Sequence, residues 1–502
     1  LLHGLVAAIY NAAVPTVARV PNSSLKPYWN DELDNMKQAA IQWHDIWVSA
    51  GRTSSSYVHH IKCATKLKYK LAVRDAYVEF EDSHDDELYL HFLNKRPTEF
   101  WKSWNAKFRR NVAKNVIING CQNDQDAANA FGSHFAAVCN QSDGLCSPVV
   151  DSFKTGNSSA ELNCAGSVLK FINVETVGLA VSKIALGKAC GPDSLSIEHI
   201  LYSHPSIILI LGNLFKLIVV HRYVPAAFGT GTIVPLVKDK SRNLNDIDNY
   251  RPITLIPVIS KIFEHLLLMV CENSLSSDDL QFGFKRGLSC ADAIFALRSA
   301  ASHFNSRGST IYIASLDIRK AFDTVRHDKL FDALLAFTIP TVIVEILCNW
   351  YMKLKVNVRW GNRFSDFFSV MNGVRQGSVL SPSLFNVFIN VFIESLRKSG
   401  IGCFMRSLYI GCLFYADDML LLCPSVMGLQ KMLDICVSVA ESLSLKFNAN
   451  KSFCLAVGGL FMEATKPLSL ASTPIYWTSS IRYLGVTVNG GKTMSFNISA
   501  VK

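Results

Sequence analysis

The stretch that decides the fold of this chain is LFYADDMLLL, at residues 413–422. Its adjacent carboxylates, Asp417 and Asp418, stand in a run that is otherwise apolar, and such a run predicts two short buried strands that bend back on each other. Two like charges buried side by side are costly unless something neutralises them. A divalent cation would do so, because Mg²⁺ is held by one or two carboxylates together with substrate phosphates. Although an arbitrary Asp-Asp pair more often belongs to a solvated loop, these apolar flanks favour a metal site.

A third carboxylate ends a separate predicted strand. The segment IYIASLD, residues 311–317, is rich in β-branched and aromatic residues and closes with Asp317. The next segment, IRKAFD at 318–323, has the character of an exit from a strand into a helix. A two-metal phosphoryl-transfer site needs carboxylates from separate strands that hold two cations about 3.5–4 Å apart. Asp317 with Asp417 and Asp418 therefore predicts a site for two Mg²⁺ or Mn²⁺ ions.

Several segments resemble the motifs of one known family. Residues 317–323, NGVRQGSVLSP at 372–382 and FYADD at 414–418 resemble motifs A, B and C of reverse transcriptases, in the version of LINE-type (non-LTR) retrotransposons. Supporting segments stand in the same family order: GKACGPD at 187–193, NYRPI at 249–253, QFGF at 281–284, LKFNANK at 445–451 and YLG at 483–485. The resemblance covers roughly residues 180 to 490. One such motif would be a weak signal, whereas this many in the family order leave little room for chance.

The resemblance implies roles for the acids and for one aromatic residue. Asp317 and Asp417 would be the main metal ligands, and Asp418 would be the second acid of the pair. Phe322 matches the family's steric gate, whose ring would fill the space that a ribose 2′-hydroxyl needs and would so favour dNTPs. The alternative for Phe322 is an ordinary core aromatic on the segment after the strand.

The resemblance also implies a nucleotide-binding set. Gln376 and Gly377 match the motif B turn that packs against the templating pair and the incoming nucleotide, where glycine allows a close backbone approach. Arg251 and Lys238 match finger residues that contact the triphosphate, and the planar, permanently charged guanidinium suits that task. Lys238 could equally be a solvated loop lysine. Lys451 matches the motif D lysine, a candidate general acid for the departure of pyrophosphate.

The composition agrees with a folded protein that binds nucleic acid. The chain has 502 residues, a formal net charge of +10 and a hydrophobic fraction of 49%. This fraction allows a large core and excludes a disordered tail, while the basic balance suits a phosphate backbone as partner. The 14 cysteines include no Cys-x-x-Cys pair and no Cys/His array at zinc spacing, so we interpret them as reduced residues of an intracellular protein. No segment is convincing as a secretory or membrane sequence.

The first 165 residues differ in character from the rest. A spacing of four residues places basic side chains along one helical stripe, and further basic residues then alternate with aromatic ones such as Trp101 and Trp104. This combination suits RNA, through phosphate contacts and base stacking. The alternative is a solvated helix face whose aromatics belong to the core. The predicted nucleic-acid-binding residues are Lys62, Lys66, Lys70, Arg74, Arg109 and Arg110.

We predict an α+β fold, the right-hand polymerase that the resemblance implies. The predicted order is a helical N-terminal extension at residues 1–165, fingers at 166–310 and a palm at 311–490. Residues 491–502 would be the truncated start of a thumb, so a full thumb would be missing. We expect the acids on neighbouring palm strands, backed by a helix from Ser383 onward.

The activity that the resemblance implies is RNA-directed DNA polymerisation in the service of retrotransposition. The expected partners are an RNA template, a DNA primer and dNTPs, without a membrane, in a ribonucleoprotein of the cytoplasm and nucleus. A second hypothesis is a catalytically silent, RNA-binding remnant of a decayed retroelement. The presence of all three acids argues against a loss of chemistry. The sequence leaves the template, the integration target and the oligomeric state open.

Overall fold

The computed structural model describes residues 4, 28–54, 57–108, 117–121, 123–140, 159–272, 274–275, 277–337, 339–459 and 466–497. The chain divides into two compact units: Val17–Asn115 is one, and Leu1–Thr16 together with Val116–Lys502 is the other. The predicted boundary at residue 165 does not coincide with this division, because the helix at Asp124–Cys139 belongs to the larger unit. The partition of the larger unit into fingers and palm stays a prediction.

The smaller unit is helical. Its helices are α1 (Asp31–Ser49), α2 (Tyr57–Leu93) and α3 (Pro97–Phe108). α1 is capped by Asn30, whose side chain accepts a hydrogen bond from the Leu33 backbone N–H at 2.9 Å. α1 packs along α2, and the Lys62 ammonium lies 3.6 Å from the centre of the Trp47 ring, within cation–π distance.

The larger unit combines helices with sheets of mainly antiparallel pairing. Its helices are α4 (Asp124–Cys139), α5 (Ser159–Phe171), α6 (Val174–Ser182), α7 (Ile197–Leu201), α8 (Ser206–His221), α9 (Ala226–Gly229), α10 (Val258–Val270), α11 (Cys290–Asn305), α12 (His327–Ala336), α13 (Thr341–Tyr351), α14 (Ser381–Ser399) and α15 (Val426–Ser442). Its strands are β1 (Thr230–Val237), β2 (Tyr250–Leu255), β3 (Ile311–Leu316), β4 (Lys355–Trp360), β5 (Arg363–Phe364), β6 (Phe368–Ser369), β7 (Phe404–Met405), β8 (Leu408–Tyr409), β9 (Cys412–Tyr415), β10 (Asp418–Cys423), β11 (Phe453–Val457), β12 (Leu468–Leu470), β13 (Thr473–Ile475), β14 (Ser480–Tyr483), β15 (Val486–Asn489) and β16 (Ser495–Asn497). This architecture confirms the predicted α+β class.

A four-stranded antiparallel sheet, in the order β11-β3-β10-β9, carries the acidic residues. Its inner strands β3 and β10 are mostly buried, as their short, largely apolar sequences predict. The register pairs Leu316, the last residue of β3, with Met419, the second residue of β10. Asp317 follows β3 and Asp418 begins β10, so both acids lie at the same end of the sheet.

Two helices accompany this sheet. α15 packs against β3 and β10. α14 is the helix that the sequence predicts from Ser383 onward, and its Phe392 ring lies 6.5 Å from that of Phe414 in β9. Although α14 and its neighbours are rich in apolar residues, none of the helices within the described ranges is both long and apolar enough to span a bilayer.

A second, five-stranded sheet runs in the order β2-β1-β4-β5, with β6 also paired to β4. β1 and β2 form an antiparallel hairpin, while β1 runs parallel to β4. α4 packs against β4 and β5, where the ring of Phe131 lies 5.1 Å from that of Tyr250 and 5.0 Å from that of Trp360. This packing explains why α4 belongs to the larger unit, and it brings α4 close to the hairpin that carries Lys238 and Arg251.

Candidate active site

The paired acids lie in a tight turn between β9 and β10, which we call the acidic turn (residues 415–418). Tyr415 and Asp418 face each other as the last strand pair, so Ala416 and Asp417 form the turn itself. Ala416 has a φ of +55°, a left-handed conformation that residues other than glycine seldom adopt. The turn therefore needs support from its surroundings to hold this shape.

The charges of the three acids interact. Burial raises the pKa of Asp417, and the neighbouring charge of Asp317 raises it further. Asp418 keeps solvent-accessible surface, yet the protein around its carboxyl group displaces bulk water, and this burial raises its pKa to about 6. The charges of Asp417 and Asp317 contribute to the same rise. The structure thus brings the three predicted acids together as a cluster of excess negative charge.

Asp317 is fixed by the segment after α15. Its backbone N–H donates to Ser452 Oγ at 3.3 Å, and its backbone carbonyl accepts from the Asn448 N–H at 2.8 Å. The Asn448 side chain donates to Asp317 Oδ2 at 3.2 Å. Lys451 Nζ lies 4.0 Å from the same carboxylate oxygen, with most of the lysine side chain still exposed. The predicted motif D lysine is therefore close to the acids and remains accessible.

The donor set fits an open metal site. Among the residues that the structure describes, no three His, Cys, Asp or Glu side chains are arranged so as to enclose an ion by themselves. Mg²⁺ does not require such a cage, because one or two carboxylates with water and substrate phosphates complete its octahedral shell. Asp317 and Asp417 supply carboxylates at the ends of two strands; burial, and to a lesser degree the charge of Asp317, raises the pKa of Asp417, and a bound cation would favour its ionised form. These residues would hold ions jointly with a phosphate-bearing substrate.

Motif B approaches the β1–β2 hairpin at Gly377. This residue has a φ of +118°, and a Cβ placed on it would lie 2.5 Å from the carbonyl oxygen of Thr254. The Thr254 N–H donates to the Gln376 carbonyl at 2.7 Å. The Gln376 side chain donates from Nε2 to Asp323 Oδ1 at 2.9 Å. Burial raises the pKa of this Asp323 carboxyl group. Only glycine fits at position 377, because any side chain would collide with the hairpin backbone.

A buried ion pair that the sequence reasoning missed holds motif B in place. Glu264 on α10 accepts hydrogen bonds from Arg375 Nη2 at 3.2 Å, from Ser378 Oγ at 2.7 Å and from the Val379 N–H at 2.6 Å. Glu264 and Arg375 are almost completely buried. The sequence signal was a lone acid in the apolar helix VISKIFEHLLLMV, because such a residue needs a buried partner.

Phe322 lies between the core and the site. Its ring stacks on that of Phe385 at 4.2 Å between centroids and contacts the exposed Phe284 ring edge-on at 6.0 Å. Its backbone carbonyl accepts a hydrogen bond from the Val374 N–H at 2.8 Å. Phe322 is half-buried, in contrast to Phe385, which is fully buried. The structure is therefore compatible with both interpretations of Phe322, as a core aromatic residue and as a steric gate.

The two predicted triphosphate contacts lie on the β1–β2 hairpin. Arg251 is exposed on β2, and its positive charge acts to lower the pKa of Asp417. Lys238 follows β1 and donates from Nζ to the Asp248 carbonyl at 2.8 Å. Its charge acts to lower the pKa of Asp323, which burial raises. Arg251 is thus close enough to Asp417, and Lys238 to Asp323, for the charges to interact.

Three further titratable residues, His134, Lys320 and Asp248, lie close together near the β1–β2 hairpin, and no sequence pattern predicted this cluster. His134 on α4 lies 3.4 Å from Asp248, and Lys320 in the segment after β3 lies 3.5 Å from the same carboxylate oxygen. Lys320 has a φ of +48°, and its Nζ lies 3.5 Å from His134 Nε2. Burial, followed by the charge of Lys320, lowers the pKa of His134. This contact joins residues 186 positions apart, which a local sequence pattern does not reveal.

The predicted RNA-binding residues belong to the smaller unit. Lys66, Lys70 and Arg74 are exposed on α2, and Lys62 lies against Trp47. Arg74 forms an exposed ion pair with Asp75 at 3.3 Å. The predicted residues at positions 109 and 110 lie outside the described residues.

Comparisons with known proteins find similarities over a large part of the chain. The family model described as reverse transcriptase (RNA-dependent DNA polymerase) matches residues 237–488, which is 252 of the 502 residues. The Retrovirus-related Pol polyprotein from type-2 retrotransposable element R2DM of Drosophila melanogaster is 28% identical over 312 residues, or 59% of this chain and 28% of the relative. The RNA-directed DNA polymerase from mobile element jockey of the same species is 26% identical over 346 residues, or 66% of this chain and 37% of the relative.

The chain therefore spans less than two-fifths of the length of these curated relatives. Among solved structures, apo telomerase from Candida tropicalis, truncated from its C-terminal domain, is similar with 14% identity and a TM-score of 0.39, over 61% of this chain and 65% of that one. The family match includes both strands that carry the three acids, together with motif B and the β2 strand. The chain belongs to the reverse transcriptase (RNA-dependent DNA polymerase) family.

Proposed function

We propose that this chain catalyses RNA-templated DNA synthesis by two-metal phosphoryl transfer. The observation that carries the proposal is the placement of Asp317, Asp417 and Asp418 at one end of the four-stranded sheet, with interacting charges. Family membership supports the reaction type, and the accessible acids support a site that binds its ions together with a substrate. Mg²⁺ or Mn²⁺, as two ions, would be the cofactor.

Each residue of the cluster would have a distinct task. Asp317 and Asp417 would bind the ions, with Asp418 beside them, and the bound ions would acidify the primer hydroxyl and stabilise charge on the phosphate. The primer 3′-hydroxyl would lose its proton to solvent while its oxygen forms a bond to the α-phosphorus of the dNTP, and the bond from that phosphorus to the bridging oxygen of pyrophosphate would break. Lys451 Nζ, which lies 4.0 Å from Asp317, would donate a proton to the departing pyrophosphate.

The remaining residues would orient the nucleotide. Arg251 and Lys238 on the hairpin would bind the triphosphate, which agrees with the interaction of Arg251 with Asp417 and of Lys238 with Asp323. Gln376 and Gly377 would support the base pair, since Gly377 lets motif B approach the hairpin backbone. Phe322 would exclude a ribose 2′-hydroxyl, because its half-buried ring is braced by Phe385.

We propose a nucleic-acid-binding role for the smaller unit as well. Its exposed side chains include the basic stripe on α2 and the aromatic residues Phe92 and Trp101. Phe100 stacks on Trp104 at 5.8 Å between ring centroids and contacts the ring of Trp101 edge-on at 5.3 Å, so several rings are grouped together. Exposed aromatic and basic groups suit an RNA whose bases are unpaired. A longer retrotransposon protein that acts in the cytoplasm and nucleus as a ribonucleoprotein would use both units.

Primer extension on an RNA template tests the activity. With Mg²⁺ and dNTPs, we expect the purified chain to extend a DNA primer, and NTPs to be poor substrates. Asp417→Asn should reduce incorporation roughly 100-fold or more, because it removes charge where the transition state needs it. Asp434→Asn on the exposed side of α15 is the matched control and should behave like the parent. An Asp417→Asn protein as active as the parent would show that the metal site is misassigned.

An inactive parent chain would have a different meaning. If the folded parent binds RNA but extends no primer under any metal condition, the catalytically silent remnant becomes the better hypothesis. Binding should then depend on the smaller unit, so a charge-removing set of changes at Lys66, Lys70 and Arg74 should weaken it. Filter binding at two salt concentrations would measure this, because each lost phosphate contact reduces the salt dependence.

A further inference from the structure

A short segment outside the four strands extends the sheet beside the acidic turn. The Phe282 N–H donates to the Phe414 carbonyl at 2.8 Å, and the Phe414 N–H donates to the Leu280 carbonyl at 2.8 Å. Gln281 and Phe414 thus form a parallel bridge at the edge of β9. We call residues 280–283 the flanking segment. It runs next to the strand that leads into the acidic turn.

The side chain of Gln281 forms hydrogen bonds to the backbone of the acidic turn. Its Oε1 accepts hydrogen bonds from the Ala416 N–H at 2.9 Å and from the Gly283 N–H at 2.8 Å. Its Nε2 donates to the Ala416 carbonyl at 3.3 Å. The Gln281 residue is fully buried. One amide therefore binds both peptide groups around Ala416, and the second of these groups is joined directly to Asp417.

The flanking segment is itself held from behind. A Cβ placed on Gly283 would lie 2.4 Å from the Ala416 nitrogen, so glycine permits the close approach. Asn386 on α14 donates from Nδ2 to the Gly283 carbonyl at 2.9 Å, and it is buried. One helical turn further along, Asn390 Oδ1 accepts from the Asp278 N–H at 3.1 Å. Asn386 thus holds the flanking segment beside the acidic turn, whereas Asn390 holds the chain two residues before that segment.

We propose that Gln281 is a positioning residue that sets the geometry of the acidic turn and thereby the rate of the chemical step. The inference rests on the proposed polymerase function. Ala416 in a left-handed conformation needs bonds on both its peptide groups to stay there, and Gln281 supplies them. The carboxylates that follow depend on the direction of the chain at this point. A glutamine suits the place because it both donates and accepts without adding charge next to Asp417 and Asp418.

Two substitutions at Gln281 test the hydrogen-bonding atoms of its side chain separately. Gln281→Met keeps the length and burial but removes all three hydrogen bonds. Gln281→Glu keeps the acceptor oxygens but loses the Nε2–H donor and adds a carboxyl group near two others. Asn390→Ala is the matched control, because it removes a buried amide that holds the chain before the flanking segment and leaves the Ala416 bonds intact. Urea unfolding of each variant shows whether the stability losses are comparable.

Two measurements then test the role. Amide hydrogen exchange in the peptide that contains residues 415–418 should become at least about tenfold faster in Gln281→Met, and should stay at the parent rate in Asn390→Ala. In steady-state primer extension, kcat should fall roughly 10- to 100-fold in Gln281→Met, with more loss in Gln281→Glu. The KM for dNTP should change less than about threefold, since the groups that bind the triphosphate are elsewhere.

The outcomes distinguish this inference from the proposed function. Exchange at the turn that is unchanged in Gln281→Met overturns the inference, whether or not the chain polymerises DNA. A parent-like kcat in that variant overturns it too, as does an equal loss of kcat in Asn390→Ala. A parent chain that extends no primer, combined with faster exchange in Gln281→Met, rejects the proposed function and supports the grip of Gln281 on the turn.

Discussion

The two sides of the candidate site are built differently. On one side, motif B and the acidic turn are held by buried hydrogen bonds, with Glu264 fixing Arg375 and Gln281 fixing Ala416. On the other side, the β1–β2 hairpin offers Arg251, which is exposed and interacts with the acids through its charge. We call the first the locked side, because contacts within the protein hold its residues. We call the second, with Arg251, the cationic side, because it retains groups that a ligand could engage.

This difference indicates how the work of the site is divided. Groups that must be placed accurately gain from support by rigid neighbours, because small errors in position cost rate. Groups that attract a mobile, multiply charged ligand need charge more than fixed geometry. Changes on the locked side should therefore reduce stability together with kcat, and changes on the cationic side should alter substrate affinity in a stable protein.

Removal of Glu264 should break the locked side most severely. Glu264→Ala leaves the buried Arg375 guanidinium without its carboxylate, and such a loss costs about 3–5 kcal/mol of unfolding free energy. Urea denaturation at pH 7 measures the effect. Lys398→Ala, in an exposed ion pair with Glu394, is the control and should cost less than about 1 kcal/mol. Similar losses in both variants would show that the buried pair does not lock motif B.

We also expect the free energy of unfolding to fall in acid, because the buried His327 of the locked side must then become protonated. Its Nε2 lies 2.9 Å from the Gly373 carbonyl, and burial lowers the pKa of His327 to about 4. The unfolded chain then binds more protons between pH 6.5 and 4, so stability is present above this window and is lost as the pH falls through it. We expect this residue to remove about 2 kcal/mol between pH 7 and 5.

Denaturation in His327→Gln at both pH values measures this contribution. Glutamine does not titrate, so the variant should show a smaller pH dependence than the parent. His265, whose pKa burial also lowers to about 4, should retain its own share of the slope. An unchanged slope in His327→Gln would mean that other groups dominate the acid response.

Phe322 stands at the border between the two sides, so its replacement sharpens the comparison. Phe322→Val should relieve the clash with a ribose and change the ratio of NTP to dNTP efficiency by roughly 5- to 150-fold, corresponding to overpacking of ~1–3 kcal/mol. Phe385→Leu removes the stacking partner instead, and should lower stability while the sugar preference stays near that of the parent. If Phe322→Val only destabilises the protein, its ring serves the core alone.

The smallest effect on the protein itself should follow changes on the cationic side. Arg251→Gln removes an exposed charge, so we expect a roughly 10-fold higher KM for dNTP with little change in unfolding free energy. Arg359→Gln, on β4 of the same sheet, is a control for the loss of an exposed arginine. A strong drop in stability in Arg251→Gln would contradict the division between the two sides.

Sequence patterns predicted the parts of this protein whose signals are local. The apolar run around Asp417 and Asp418 predicted a strand pair, and the segment from Ser383 onward predicted the helix α14. In each case the interacting residues are a few positions apart, so a single segment contains the whole signal.

The supporting contacts of the site escaped prediction because they join distant segments. Gln281 meets Ala416 across 135 positions, and Glu264 meets Arg375 across 111. No spacing rule connects such pairs in one sequence. The packing of α4 on β4 likewise joins segments that lie far apart in the sequence. Local patterns named the reactive residues, and only the tertiary structure shows what holds them.

The strand order has a consequence for synthesis on the ribosome. β3 pairs with β10 and β11, and therefore with residues 418–423 and 453–457, far later in the chain. Until those residues have been translated, the apolar β3 strand lacks both of its neighbours and exposes two open edges, which are templates for association with other chains. A nascent chain that stalls between residues 317 and 418 would thus carry Asp317 and an unpaired β3 strand prone to association. It would lack the full set of acids.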